Sequence, residues 1–175
     1  SLARDGYRKT LRSEVKSPGG AGAAEPPHAA TSKPVLVRCK DEPSQAQWVI
    51  RAALALHEAT GERGYLDRAL DWQVALDSHY ANPDNGGYFL TADDARDLVV
   101  RPRATTDDAT PNANALAAQN MIRLAVFTGQ HGWRDQCDRL FDGILASAGG
   151  NPFGHLALLN ALDLRLNAAE IVVTG

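Results

Sequence analysis

From Ala46 to Tyr80 the chain reads "AQWVIRAALALHEATGERGYLDRALDWQVALDSHY". Apolar residues recur there at helical spacing, first Val49, Ala53 and Leu56, then Leu66, Leu70 and Val74. Two such runs on either side of a Thr60-Gly61 break predict two helices joined by a glycine cap, an αα-hairpin.

The pattern then returns. "NMIRLAVFTGQHGWRDQCDRLFDGILAS" lies on the first hairpin with an offset of 68, which puts Thr128-Gly129 on Thr60-Gly61 and Leu124 on Leu56. The same offset puts Trp133 on Tyr65, Asp135 on Asp67 and Cys137 on Ala69. A further helical run, His155 to Asn167, opens a third unit. Repetition has a physical cause, because one hairpin cannot bury its apolar face alone. Cys137 stands where the other copy has alanine, so the spacing predicts a small core residue. Tyr65 and Trp133 are expected as apolar wedges beside the two turns.

Between the hairpins lies "ANPDNGGYFLTADDARDLVVRPRATTDDATPN". Asn-Gly marks a tight turn, and "GGYFLT" and "DLVVRP" carry β-type residues. A small antiparallel β-hairpin, or a pair of extended arms, is expected at 86–101. The next helix is expected to start with Thr110 or Asp108 as cap and Pro111 at its first position.

The first segment differs in character. All four lysines, Lys9, Lys16, Lys33 and Lys40, fall within it, and "SPGGAGAAEPPHAATSKP" offers almost nothing to bury. Residues 1–45 are therefore expected to be disordered or extended, with a boundary near residue 45 and one folded domain over 46–175. "PVLVRC" is a strand candidate without a neighbouring partner.

The 175 residues suit one domain of ordinary size, and a net charge of −3 provides no basic field for nucleic acid or an anionic membrane. No apolar run reaches the length of a membrane span, and the N-terminus has no signal-peptide core. Cys39 and Cys137 have no metal-type spacing, so no metal, cofactor or disulfide framework is expected. A cytoplasmic protein is the expectation.

The run from Gly86 to Ala118 resembles a known group. Gly-Gly-Tyr-Phe, Thr91, Asp93-Asp94, Arg101-Pro102-Arg103, Asp107-Asp108-Ala-Thr-Pro, Asn112, Asn114 and Ala117-Ala118 precede a Thr-Gly hairpin. This combination looks like the C-terminal half of the YyaL / spermatogenesis-associated protein 20 group, and the likeness extends from Val49 to Gly175. Members join a thioredoxin-like domain to an (α/α)6 toroid similar to those of N-acylglucosamine 2-epimerases and six-hairpin glycosidases. The resemblance implies an all-α arc of antiparallel helical hairpins, about two and a half of the ring's units. It also implies a sugar-sized cavity at one mouth of the ring.

The residues at that mouth fit such a role. Tyr88 can stack on a sugar ring, and Arg101 and Arg103 can hold hydroxyls or a carboxylate. Asn112, Asn114, Asp107 and Asp108 can bond hydroxyls; Asp107 or Asp108 can serve as general acid or base, and His79 as a proton shuttle. Adjacent residues point apart, so Asp107 and Asp108 cannot form one catalytic pair. Glycosidase chemistry needs carboxylates roughly 5–9.5 Å apart, which leaves Asp93, Asp94 or a residue outside this arc as partner. Structural readings stand beside each of these. Asp107 and Asp108 suit a helix start. Arg101 and Arg103 suit pairing with Asp93 or Asp97. Asn112 and Asn114 suit loop carbonyls, Tyr88 suits packing, and His79 suits an exposed helix end. His57, His131 and His155 carry no assigned role. The leading expectation is a carbohydrate-binding or carbohydrate-modifying toroid protein. The alternative is a non-catalytic helical-repeat module that associates with itself or with further toroid hairpins, or a fragment without independent activity.

Overall fold

The computed structural model describes residues 43–95 and 100–169. The expected extended segment lies largely, and the "PVLVRC" strand wholly, outside the described residues, as do residues 170–175. Five α-helices make up the described chain: α1 (Pro43–Thr60), α2 (Arg63–Tyr80), α3 (Ala113–Thr128), α4 (Gly132–Ala148) and α5 (Leu156–Asn167), the last preceded by a 3₁₀ turn at Pro152–His155. α1 pairs with α2 and α3 with α4. α3 also packs on α1 at one side and on α5 at the other, so α1, α3 and α5 form a row with α2 and α4 behind it. The fold is all-α, built of antiparallel hairpins.

The middle of that row is the most enclosed position. α3 buries eleven of its residues, from Ala113 to Ala125, which a run of alanines and aliphatics on every side allows. Rungs between α1 and α3 keep their register. The Asn120 amide donates to the Gln47 carbonyl at 2.9 Å and to its Oε1 at 2.7 Å. Arg51 donates to Gln119, and Arg123 meets Glu58 at 2.8 Å.

The internal repeat holds down to single hydrogen bonds. Gly61 N donates to His57 O at 2.8 Å, and Gly129 N to Ala125 O at 2.9 Å. The hydroxyl of Thr60 donates to Leu56 O at 2.7 Å, and that of Thr128 to Leu124 O at 2.6 Å. Both glycines take left-handed φ, 72° and 67°, with no atom near a prospective Cβ. Gly61→Ala and Gly129→Ala should therefore each cost about 1 kcal/mol, purely from backbone strain. Paired thermal melts check this, and equal shifts are expected at the two sites.

The buried face of the first hairpin matches the expected stripe at Ala53 and Leu66 but departs from it elsewhere. Val49, Leu56 and Val74 are exposed, while Ala46, Gln47, Ile50, Ala53 and Leu54 face inward on α1. On α2 the inward face is Leu66, Ala69, Gln73, Leu76 and Tyr80. In the second hairpin Cys137, Phe141, Ile144 and Ala148 repeat the burial of Ala69, Gln73, Leu76 and Tyr80. Cys137 is wholly buried, and burial, helped by Asp138, pushes its thiol up to about 12. The folded protein should leave Cys137 unalkylated by iodoacetamide near neutral pH and expose it only on unfolding, as peptide mapping would show. Trp133 fits the expected wedge, half-buried against both hydrophobic clusters.

Candidate functional site

The connection from α2 to α3, residues 81–112, carries almost all the polar residues singled out above. Its first turn is made by Asn82-Pro-Asp-Asn-Gly-Gly87. The Asn82 side-chain oxygen accepts from the amides of Asp84 and Asn85, and Asn82 N donates to Gly87 O at 2.8 Å. This turn lies directly on α4. A Cβ on Gly143 would fall 1.7 Å from Asn85 O, and one on Gly86 would fall 2.4 Å from Arg139 O. Only glycine permits so close an approach of two backbones.

The small β-excursion differs from the one expected. Among the described residues the single bridge pairs Tyr88 with Ala81, antiparallel, rather than with the second arm. The arms touch through Leu90 N donating to Pro102 O at 2.8 Å. Much of "DLVVRP" lies outside the described residues.

Tyr88 does not offer a ring face for stacking, because it is 2% exposed. Its hydroxyl donates to Asp77 and accepts from the amides of Gln73 at 2.8 Å and Gln136 at 3.2 Å. Burial first, and then the Asp77 carboxylate, hold the phenol well above its ordinary range. Asn114, fully buried at the start of α3, grips the Tyr88 backbone on both sides. Its Oδ1 accepts from Tyr88 N at 2.7 Å, and its Nδ2 donates to Tyr88 O at 3.2 Å and Ala104 O at 2.9 Å.

The two arginines are also turned to main chain. Arg101 donates to Thr91 O and His79 O, and its guanidinium lies 4.3 Å over the Phe89 ring. Arg103 donates to Gly86 O at 3.1 Å and Gly143 O at 2.9 Å, tying the turn to α4. The acceptors of these donors are main chain and not the Asp93 carboxylate read as one alternative; Asp97, the other, lies outside the described residues. Asp93 instead meets His79 at 3.0 Å on the surface, and that hydrogen bond is the chief cause of its lowered pKa.

Asp107 and Asp108 separate in role, as adjacent residues must. One oxygen of Asp107 accepts from the Asn112 backbone and side chain at 3.0 and 3.2 Å, and the other from Ala157 N at 2.8 Å in the first turn of α5. Asp107 thus sits at two helix starts, holding the cap residue of α3 with one oxygen and the first turn of α5 with the other. Asp108 is exposed. The cap of α3 is Asn112, whose Oδ1 accepts from Ala115 N at 2.9 Å, so Pro111 precedes the cap rather than following it. An asparagine two positions nearer the helix than Thr110 takes the cap because its side chain reaches the third amide. Tyr88, being buried, shares no open surface with His79 or Asp107.

An open groove remains beside this brace. It has a volume of about 440 Å³ and lies between the 81–88 turn and α4. Asn82, Asp84, Asn85, Arg139 and Asp142 stand on its walls, with Met121 at its floor. The reading from sequence did not single out the α4 residues. Arg139 and Asp142 lie on the exposed face of a helix, where charged residues need no special explanation. Among the described residues no three His, Cys, Asp or Glu side chains gather to hold a metal ion. None of the described helices is long and apolar enough to cross a membrane.

No family model matches the chain. Over 91 residues, 51% of this chain, it is 40% identical to spermatogenesis-associated protein 20 of Mus musculus. It is 37% identical over the same length to the protein of that name from Homo sapiens. An uncharacterised Caenorhabditis elegans protein is 29% identical over 96 residues, 55% of this chain and 13% of its own length. These relatives bear out the resemblance read from the sequence. The matched part spans only 12% of the length of the mouse and human proteins.

Proposed function

We propose that this chain is a non-catalytic helical-repeat module, an arc of a toroid, in which residues 81–95 and 100–112 brace one hairpin against the next. One observation carries the reading. Arg101, Arg103, Asp107, Asn112 and Asn114 spend polar atoms on main chain or on one another, and the Tyr88 hydroxyl is spent on the helix side chains Asp77, Gln73 and Gln136. A binding site keeps convergent polar groups open toward its ligand. Arg103→Ala and Asp107→Ala should then lower thermal stability, each by about 1–2 kcal/mol. A variant that melted like wild type but lost affinity in a sugar titration would sink the reading.

A carbohydrate-binding or carbohydrate-modifying role is the second reading, and the groove is what favours it. Its volume suits a monosaccharide, and Asp84, Asp142 and Arg139 present both acceptors and donors. This moves the sugar from Tyr88 and the arginines to α4. Calorimetric titration with neutral sugars and sugar acids, repeated on Asp142→Ala and Arg139→Ala, tests it. Heats unchanged by either substitution would remove the groove from consideration.

A further inference from the structure

Helix α1 has two apolar faces, and among the described residues only one is packed. Ile50, Ala53 and Leu54 face the core. Trp48, Ala52, Ala55, Leu56 and Ala59 line a second stripe at helical spacing, with no charged residue among the five. Trp48 and Leu56 are 43% and 46% exposed.

The internal repeat identifies what this stripe is for. Shifted by 68, Ala52, Ala55, Leu56 and Ala59 become Asn120, Arg123, Leu124 and Phe127 on α3. Those four residues are the face of α3 that α1 covers. Asn120 bonds Gln47, Arg123 meets Glu58, Leu124 packs with Ile50, Ala53 and Leu54, and Phe127 meets His57 edge-on at 5.1 Å. The open stripe on α1 is therefore the same docking slot, one unit earlier, and its alanines leave room for a close helix.

The complement of that slot is the far side of a row helix, the side α1 turns to α3 and α3 turns to α5. Only α5, at the other end of the row, leaves such a side uncovered among the described residues. Leu158 and Ala161 face the core, whereas Leu156 lies on the opposite side of the helix and is 53% exposed. Leu166 shares that outer side, and Phe153, in the turn just before it, is 82% exposed. We propose that the α1 stripe docks the α5 end of a second copy of this chain, so that the row continues head to tail. The contact is heterologous: each copy contributes two different surfaces, one at each end. The inference goes beyond the brace reading, which concerns residues 81–112 and stands whether or not copies associate.

Sedimentation velocity of the full 175-residue chain tests it. Over about a hundredfold concentration range the wild type should pass from monomer to dimer and larger species. Leu56→Arg and Phe153→Asp, both at exposed positions, should each stay monomeric or weaken association at least about tenfold while keeping the helical circular dichroism of the wild type. Mixed together, the two variants should form a dimer that does not grow further, because one intact surface of each kind remains. A wild type that stays monomeric throughout would overturn the proposal. So would association that Leu56→Arg abolishes and Phe153→Asp leaves intact, since that pattern means α1 pairs with another α1. Loss of association with no dimer on mixing would overturn it as well.

Discussion

Replacing Asn114 with alanine should lower the stability of the protein by about 3 kcal/mol, a fall of about 10 °C in the melting temperature of a domain this size. The side chain is fully buried and makes three hydrogen bonds to main chain, at 2.7, 2.9 and 3.2 Å. Alanine removes all three and leaves the Tyr88 amide buried without an acceptor. The better helix propensity of alanine returns only about 0.5 kcal/mol, so the loss dominates. Urea melts of the variant check this. A shift of under a degree would mean that the 81–112 connection is not held by α3. Asn114→Asp keeps the acceptor and loses the two amide donor bonds, and it should also destabilise.

Gly143→Ala should show a reversal of the usual glycine rule. In an open helix the change stabilises by up to about 1 kcal/mol. Here the new methyl would sit 1.7 Å from the Asn85 carbonyl oxygen, which is backbone and cannot rotate away. The turn must lift from α4, and Arg103 then loses the geometry of its bonds to Gly86 and Gly143. Overpacking of this kind costs about 1–3 kcal/mol, more than the propensity gain. Gly132→Ala, in the first turn of the same helix with no atom within 4 Å, is the control and should be neutral or stabilising. If both variants melted higher than wild type, the contact between turn and helix would be wrong.

The hairpins were legible because their signals are local. Thr-Gly at 60–61 and again at 128–129 needs only its own helix end to act, so the turn geometry follows from the residues. The burial phase of α1 was not legible, for a physical reason. That helix carries apolar residues on two faces, and spacing alone does not say which one meets the core. Gln47 and Gln73 sit at buried positions where the pattern would put aliphatics, and their partners, Asn120 and Tyr88, are far off in sequence. The polar segment illustrates the same limit. Arg103 reaches Gly143, 40 residues on, and Asp107 reaches Ala157, 50 residues on. Residue types that suit a sugar also suit a carbonyl or a helix start, and only the fold distinguishes the two. The helix-start reading of Asp107 holds for the helix next in sequence through Asn112, while its bond to α5, 50 residues on, left no local signal.

Residues 81–95 and 100–112 are tied to the helices around them, a brace rather than a mobile binding loop. Native-state hydrogen exchange at the Tyr88 amide tests it most directly, because that N–H is held by Asn114 from another element. Exchange is expected only through global unfolding, at the same free energy as core amides of α3. Exchange through local opening, faster than those amides by a hundredfold or more (about 3 kcal/mol), would contradict it.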